Sequence, residues 1–126
     1  SAIHVGSGSV RVLATPWMIA FMERVARKFI GEHLPEGYSS VGVRVEVQHL
    51  APSPVGSRVT ARAEVISVEG SRVSFHVEAW DEMERIGVGS HQRVVIDEAR
   101  FLRRVAAKQE SLQNSEGKGQ TPEPPR

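Results

Sequence analysis

Hydrophobic positions along this chain follow two periods, and the change from one to the other falls near Gly42. Met18, Phe21, Met22, Val25 and Phe29 recur at three- and four-residue spacing, which predicts an amphipathic helix with a broad apolar stripe. Thr15 reads as its N-cap and Pro16 as its first residue, where a missing N–H costs nothing. Arg24, Arg27 and Lys28 form the polar side, and Gly31 ends the helix. "EHLPEGYSS" reads as a loop. From Gly42 the period is two. "GVRVEVQHL" sets Val43, Val45, Val47 and His49 on one face. "RVTARAEVISV", "RVSFHVEAW" and "IGVGSHQRVVI" repeat the alternation, separated by "EGS" and "DEMER". Short links between long alternating strands predict an antiparallel sheet with one covered face.

A helix with so wide an apolar arc must be covered on more than one side. One long helix followed by four long strands predicts an α+β, hot-dog architecture, with a curved antiparallel sheet wrapped around the helix and a partner subunit completing the cover. The first ten residues, small and glycine-bearing, lead into a short strand. "DEARFLRRVAAKQESL" predicts a closing helix with Asp97 as its cap. The domain is expected to span residues 1–112. The polar, Pro- and Gly-rich segment 113–126 is expected to be a disordered tail.

Composition narrows the function classes. A chain of 126 residues makes one domain. Sixteen basic and 15 acidic residues give no footprint for nucleic acid. Two Trp, one Tyr and four Phe are too few for a base-stacking platform. No apolar run approaches the roughly 20 residues of a membrane span, and "SAIHVGSGSV" carries no signal-peptide pattern. The expectation is a soluble, cytoplasmic protein without membrane or nucleic-acid partners. With no cysteine there is no thiolate chemistry. The five histidines show no i,i+4 spacing, so neither a metal nor a cofactor is expected.

Three residue types then stand out. Glu23 sits on the flank of the apolar stripe. It can pair with Arg27 at i,i+4, or serve as a base, since desolvation raises a carboxylate's affinity for protons. The Thr15 hydroxyl can cap the helix and still donate its proton elsewhere. His49 falls on the expected covered face, either as a satisfied core histidine or as the partner of a helical carboxylate. His76 reads as exposed. His91 and Arg93 share a face of the last strand with Gly87 and Gly89, glycines that permit close approach of a ligand or neighbouring backbone. Thr15 and Glu23 lie eight helical residues apart, about 12 Å along the axis, too far to grip one small group. Two antiparallel helices in a symmetric dimer would bring Thr15 of one chain toward Glu23 of the other.

The runs "VLATPWMIAFMERVA", "LPEGYSSVGVRVEVQHLAPSPVGSRVTARAEV" and "EAWDEMERIGVGSHQRVVID" resemble the hot-dog thioesterase family that includes fluoroacetyl-CoA thioesterase. The resemblance spans roughly residues 9 to 104. It implies a hot-dog fold, a homodimer or dimer of dimers, and metal-free hydrolysis of a small or medium acyl-CoA. Coenzyme A enters as part of the substrate. It also implies that Thr15, Glu23 and His49 are catalytic and that Gly42 and Arg93 contact substrate. A non-catalytic acyl-CoA-binding protein and a structural dimerisation module are the alternatives, and the intact Thr/Glu/His set favours catalysis.

Overall fold

The computed structural model describes residues 3–9 and 14–116. Two compact units divide the chain, residues 1–96 and 97–126. The first contains strand β1 (Ile3–Ser9), helix α1 (Thr15–Glu32) and strands β2 (Tyr38–His49), β3 (Arg58–Glu69), β4 (Arg72–Trp80) and β5 (Arg85–Asp97, whose last residue opens the second unit). The sheet order is β1-β3-β4-β5-β2. The β1–β3, β3–β4 and β4–β5 pairs are antiparallel. Thus the strand that follows the helix in sequence lies at the far edge of the sheet, leaving one side of β2 without a neighbouring strand among the described residues.

The α1 stripe becomes the core. Met18, Phe21, Met22, Val25, Ala26 and Ile30 are buried against Val59, Ala61 and Ala63 of β3 and Val73, Phe75, Val77 and Ala79 of β4. The alternation along β3 and β4 therefore has the sense the sequence predicts. Small residues on β3 let the helix approach. Gly87 on β5 does the same, because a Cβ there would lie 2.6 Å from the Met18 sulfur. A Cβ on Gly89 would collide with the β2 backbone at Glu46 and Val47, so this glycine serves close strand packing. The tight β3–β4 turn places Gly70 at φ +61°, a conformation that costs other residues steric energy.

Two sequence expectations change here. Thr15 is not the N-cap: Ala14 occupies that position and no side chain caps the helix. The Ala14 carbonyl accepts from the Trp17 and Met18 amides, and the Thr15 hydroxyl is bonded elsewhere. Nor do Val43, Val45, Val47 and His49 share a covered face. Val43 and Val45 are 48% and 37% exposed, whereas Val47 packs on the core. Ser40 and Gly42 also face the helix, as their contacts below show. Residues 42 and 47 are separated by an odd number, so strict alternation cannot put both on one side. β2 therefore departs from strict alternation between these two positions.

The second unit holds helix α2 (Glu98–Glu116), which begins with the Arg100 amide donating to Asp97 Oδ1 at 3.1 Å. Asp97 thus caps it as expected. None of its residues is buried. It continues past Leu112, so the segment from 113 begins as helix and not as the expected disordered tail. Residues 117–126 lie outside the described residues.

Candidate active site

Helix α1 carries the candidate groups to two places on the inner face of the sheet. At its N-terminus, Thr15 Oγ1 and His49 Nδ1 are 2.8 Å apart. Freed from capping, the hydroxyl reaches across to the end of β2. Among the described residues His49 has only this one bond. Its Nε2 is buried and has no hydrogen-bond partner among them, and such an atom costs stability unless something else pairs with it.

Two turns further along, Glu23 faces Gly42, His91 and Arg93. A Cβ on Gly42 would lie 3.3 Å from Glu23 Oε2, 3.3 Å from Arg93 Nη1 and 3.2 Å from His91 Cε1. Three polar side chains therefore converge where glycine has none. Neither Arg27 nor Arg93 forms an ion pair with Glu23 within 4.0 Å among the described residues, so the i,i+4 reading fails. A cleft of about 540 Å³ opens beside the carboxylate, lined among others by Arg24, Arg27, Ser40, Gly42 and Arg93.

Arg93 and His91 project inward from β5, and both are buried. The Arg93 guanidinium donates from Nε to Ser40 Oγ at 2.8 Å and from Nη2 to the Ser40 carbonyl at 2.9 Å. These bonds tie β5 to the edge strand. Burial lowers the Arg93 pKa, Glu23 opposes that, and the Arg27 charge adds to it. His91 Nδ1 bonds to the Arg44 carbonyl of β2 at 2.9 Å. That bond fixes the proton on Nδ1, leaving Nε2 to accept from Arg93 Nη1 at 3.2 Å. Burial holds the His91 pKa below the usual histidine value. The Arg44 bond opposes this, the Arg93 charge reinforces it, and Glu23 opposes it again.

Of the five sequence-predicted site residues, then, the chain joins Thr15 to His49 and gathers Glu23, Gly42 and Arg93 elsewhere. Sequence reasoning passed over Ser40 and gave His91 no role. The H-x-R parity placed His91 and Arg93 on one face, but nothing local showed that this face meets Glu23. The other polar cluster lies on the opposite face of the sheet. Glu78 there takes bonds from Arg62, His76 and Arg85 at 3.3, 3.1 and 3.3 Å. His76 is accordingly half-buried and paired, where the sequence suggested exposure.

Comparison with known proteins gives this geometry a family. The model for fluoroacetyl-CoA-specific thioesterase matches residues 1–99. The fluoroacetyl-CoA thioesterase of Streptantibioticus cattleyicolor is 39% identical over 97 residues, 77% of this chain and 70% of that protein. A crystal structure of the fluoroacetyl-CoA thioesterase superposes with a TM-score of 0.81 at 31% identity, covering 85% of this chain and 94% of that one. A hot-dog-like protein from Thermanaerovibrio acidaminovorans superposes at 0.80 with 29% identity, over 85% and 90% of the two chains. By sequence and by fold alike, this chain belongs to the fluoroacetyl-CoA-specific thioesterase family of hot-dog proteins.

Proposed function

We propose that the protein hydrolyses a small or medium acyl-CoA thioester to the free acid and coenzyme A. Its site would join Thr15 and His49 of one subunit to Glu23, Gly42 and Arg93 of the partner subunit. One observation carries this reading: the Thr15–His49 pair ends in a buried, unpartnered Nε2, while the carboxylate stands about 12 Å away along the same helix. Pairing the open edge of β2 with its symmetry mate covers Val43 and Val45. The same arrangement lays the two helices antiparallel. Glu23 of the partner subunit would then complete His49.

The chemistry needs a nucleophile, a stabilised oxyanion and a proton for the departing thiolate. Glu23 either activates water or attacks the carbonyl itself, giving a mixed anhydride that water cleaves. The Thr15 hydroxyl and the Gly42 amide are the donors for the carbonyl oxygen, and Arg93 adds positive charge at the cleft. His49 carries the proton between the reacting groups. No metal or organic cofactor takes part in this scheme. The cleft arginines suit the phosphates of coenzyme A, and a cytoplasmic location suits such a substrate. No helix among the described residues is long and apolar enough to cross a membrane.

Because the chain has no cysteine, coenzyme A release can be followed with a thiol reagent free of protein background. Turnover of at least one member of an acyl-CoA panel is expected, and none above buffer overturns the activity. For the shared site, Glu23→Gln and His49→Ala homodimers should each be inactive. Random mixing makes about half the dimers mixed, each with one intact site, and restores about a quarter of wild-type activity. No recovery overturns the two-subunit site. A single turnover in ¹⁸O-water tests for the anhydride, since water attacking its glutamyl carbon leaves ¹⁸O in the protein carboxylate, which direct attack of water on the thioester never does.

A further inference from the structure

Arg93 and Glu23 sit beside the same point in space, yet they do not touch. Each is 3.3 Å from the position of a Cβ on Gly42, but no ion pair within 4.0 Å joins them among the described residues. A buried guanidinium this close to a carboxylate ordinarily closes on it, because charge-assisted bonds are the stronger ones. Something holds it back, and the bonds on the arginine show what. Ser40 takes Nε and Nη2 through its hydroxyl and carbonyl, and His91 Nε2 takes Nη1. His91 can accept only while neutral and only with its proton on Nδ1, and the Arg44 carbonyl fixes that tautomer. The groups around the imidazole are Arg93 on its own strand, Glu23 from α1, the Arg44 carbonyl from β2 and the uncharged Phe75 ring, stacked at 6.3 Å, from β4.

We propose that His91 is a positioning residue: with Ser40 it restrains the Arg93 guanidinium short of a contact ion pair with Glu23. The arginine then lends its charge to the site while the carboxylate stays free to react. This inference rests on Glu23 being the reacting carboxylate. Without the imidazole acceptor, Nη1 turns to Glu23. A contact pair favours the ionised carboxylate, which weakens it as a base and moves the acid limb of the kcat profile to lower pH.

Three substitutions at His91 and one at Ser40 test the idea. His91→Ala is expected to lower kcat roughly tenfold, less than the 10²–10⁴ expected for losing the base itself. KM should change little, the acid limb should move down, and a crystal structure should show Arg93 within 4 Å of Glu23. His91→Gln places an amide oxygen near the Nε2 position and should restore both rate and limb. His91→Asn reaches only the Nδ1 position, keeps the bond to Arg44, and should behave like alanine. Should His91→Ala fail to fold, Ser40→Ala removes one tether and is expected to shift the limb in the same direction by less. An unmoved acid limb together with an open Arg93–Glu23 gap in His91→Asn and Ser40→Ala overturns the proposal, whatever happens to kcat. The crystallographic distance decides it even if the wild type turns over no thioester, which would defeat the activity instead.

Discussion

Two carboxylates on opposite faces of one sheet are treated in opposite ways. Glu78, on the outer face, is only 12% exposed and is engaged by Arg62, His76 and Arg85. Burial raises its pKa, but the Arg85 and His76 bonds and the His76 and Arg62 charges outweigh that, and the net pKa is lowered. Glu23, on the inner face, has Arg93 beside it and forms no ion pair with it. The outer carboxylate spends its charge on cross-strand pairing, which ties β3, β4 and β5 together. The inner one is kept out of such pairing by the bonds that occupy its neighbour. Proximity of opposite charges thus does not reveal a role. What matters is whether the cation has other acceptors.

The largest effect should separate the two acids directly. Glu23→Gln is expected to lower kcat by about 10²–10⁴, the usual contribution of a general base, while Glu78→Gln stays within about twofold. Equal losses measured by coenzyme A release would erase the distinction. Gly42→Ala comes next. Its methyl group would press on Glu23, Arg93 and His91 at 3.2–3.3 Å, and kcat/KM should fall about tenfold or more with little change in Tm. An unaffected rate would mean that the polar groups around Gly42 need no fixed geometry.

Arg27→Ala tests one of the two arginines on the cleft rim, Arg24 and Arg27, that lack an ion-pair partner among the described residues. KM for an acyl-CoA should rise severalfold, with no change for the acyl-pantetheine that lacks the nucleotide phosphates. Equal changes for both substrates would remove the phosphate role.

The smallest effects lie in stability against pH, and the two faces should respond in different ranges. His91 has its folded pKa lowered from 6.5, so the unfolded chain binds the proton more readily. Its contribution is complete above about 6.5 and is lost as the pH falls from there toward the folded value. Glu78 is lowered from 4.5. Its contribution persists above 4.5 and is lost only as the pH falls further, through its folded value. Tm measured from pH 7.5 down to about 2.5 should therefore decline in two stages. His91→Gln should flatten the first. Glu78→Gln should flatten the second and lower the neutral-pH Tm by a few degrees, since its arginine partners remain partly in water.

Much of this was legible in the chain. The α1 stripe, the alternation in β3 and β4, and the Asp97 cap follow from local periodicity and short-range hydrogen bonding. The Thr15, Glu23 and His49 set is proposed from residue chemistry and from a resemblance, and the Thr15–His49 bond is what the structure adds to it. The errors cluster in β2 and at the start of α1. A rule of period two cannot foresee the loss of strict alternation between Gly42 and Val47. The alternation alone therefore put Val43 and Val45 on a covered face. Capping preference assigned Thr15 a local partner, because a bond to a residue 34 positions away leaves no mark on the local pattern.

What the sequence determined by itself is the sort of protein this is: one helix to be wrapped, strands to wrap it, and a stock of polar residues at inward-facing positions. Only the tertiary structure decided which of those residues meet. It joined Thr15 to His49, brought the Arg44 carbonyl to His91, and gave Arg93 acceptors other than the acid beside it. The physical reason is range. Periodicity and capping act over a few residues, whereas these contacts join elements whose approach is set by the packing of the whole sheet against the helix.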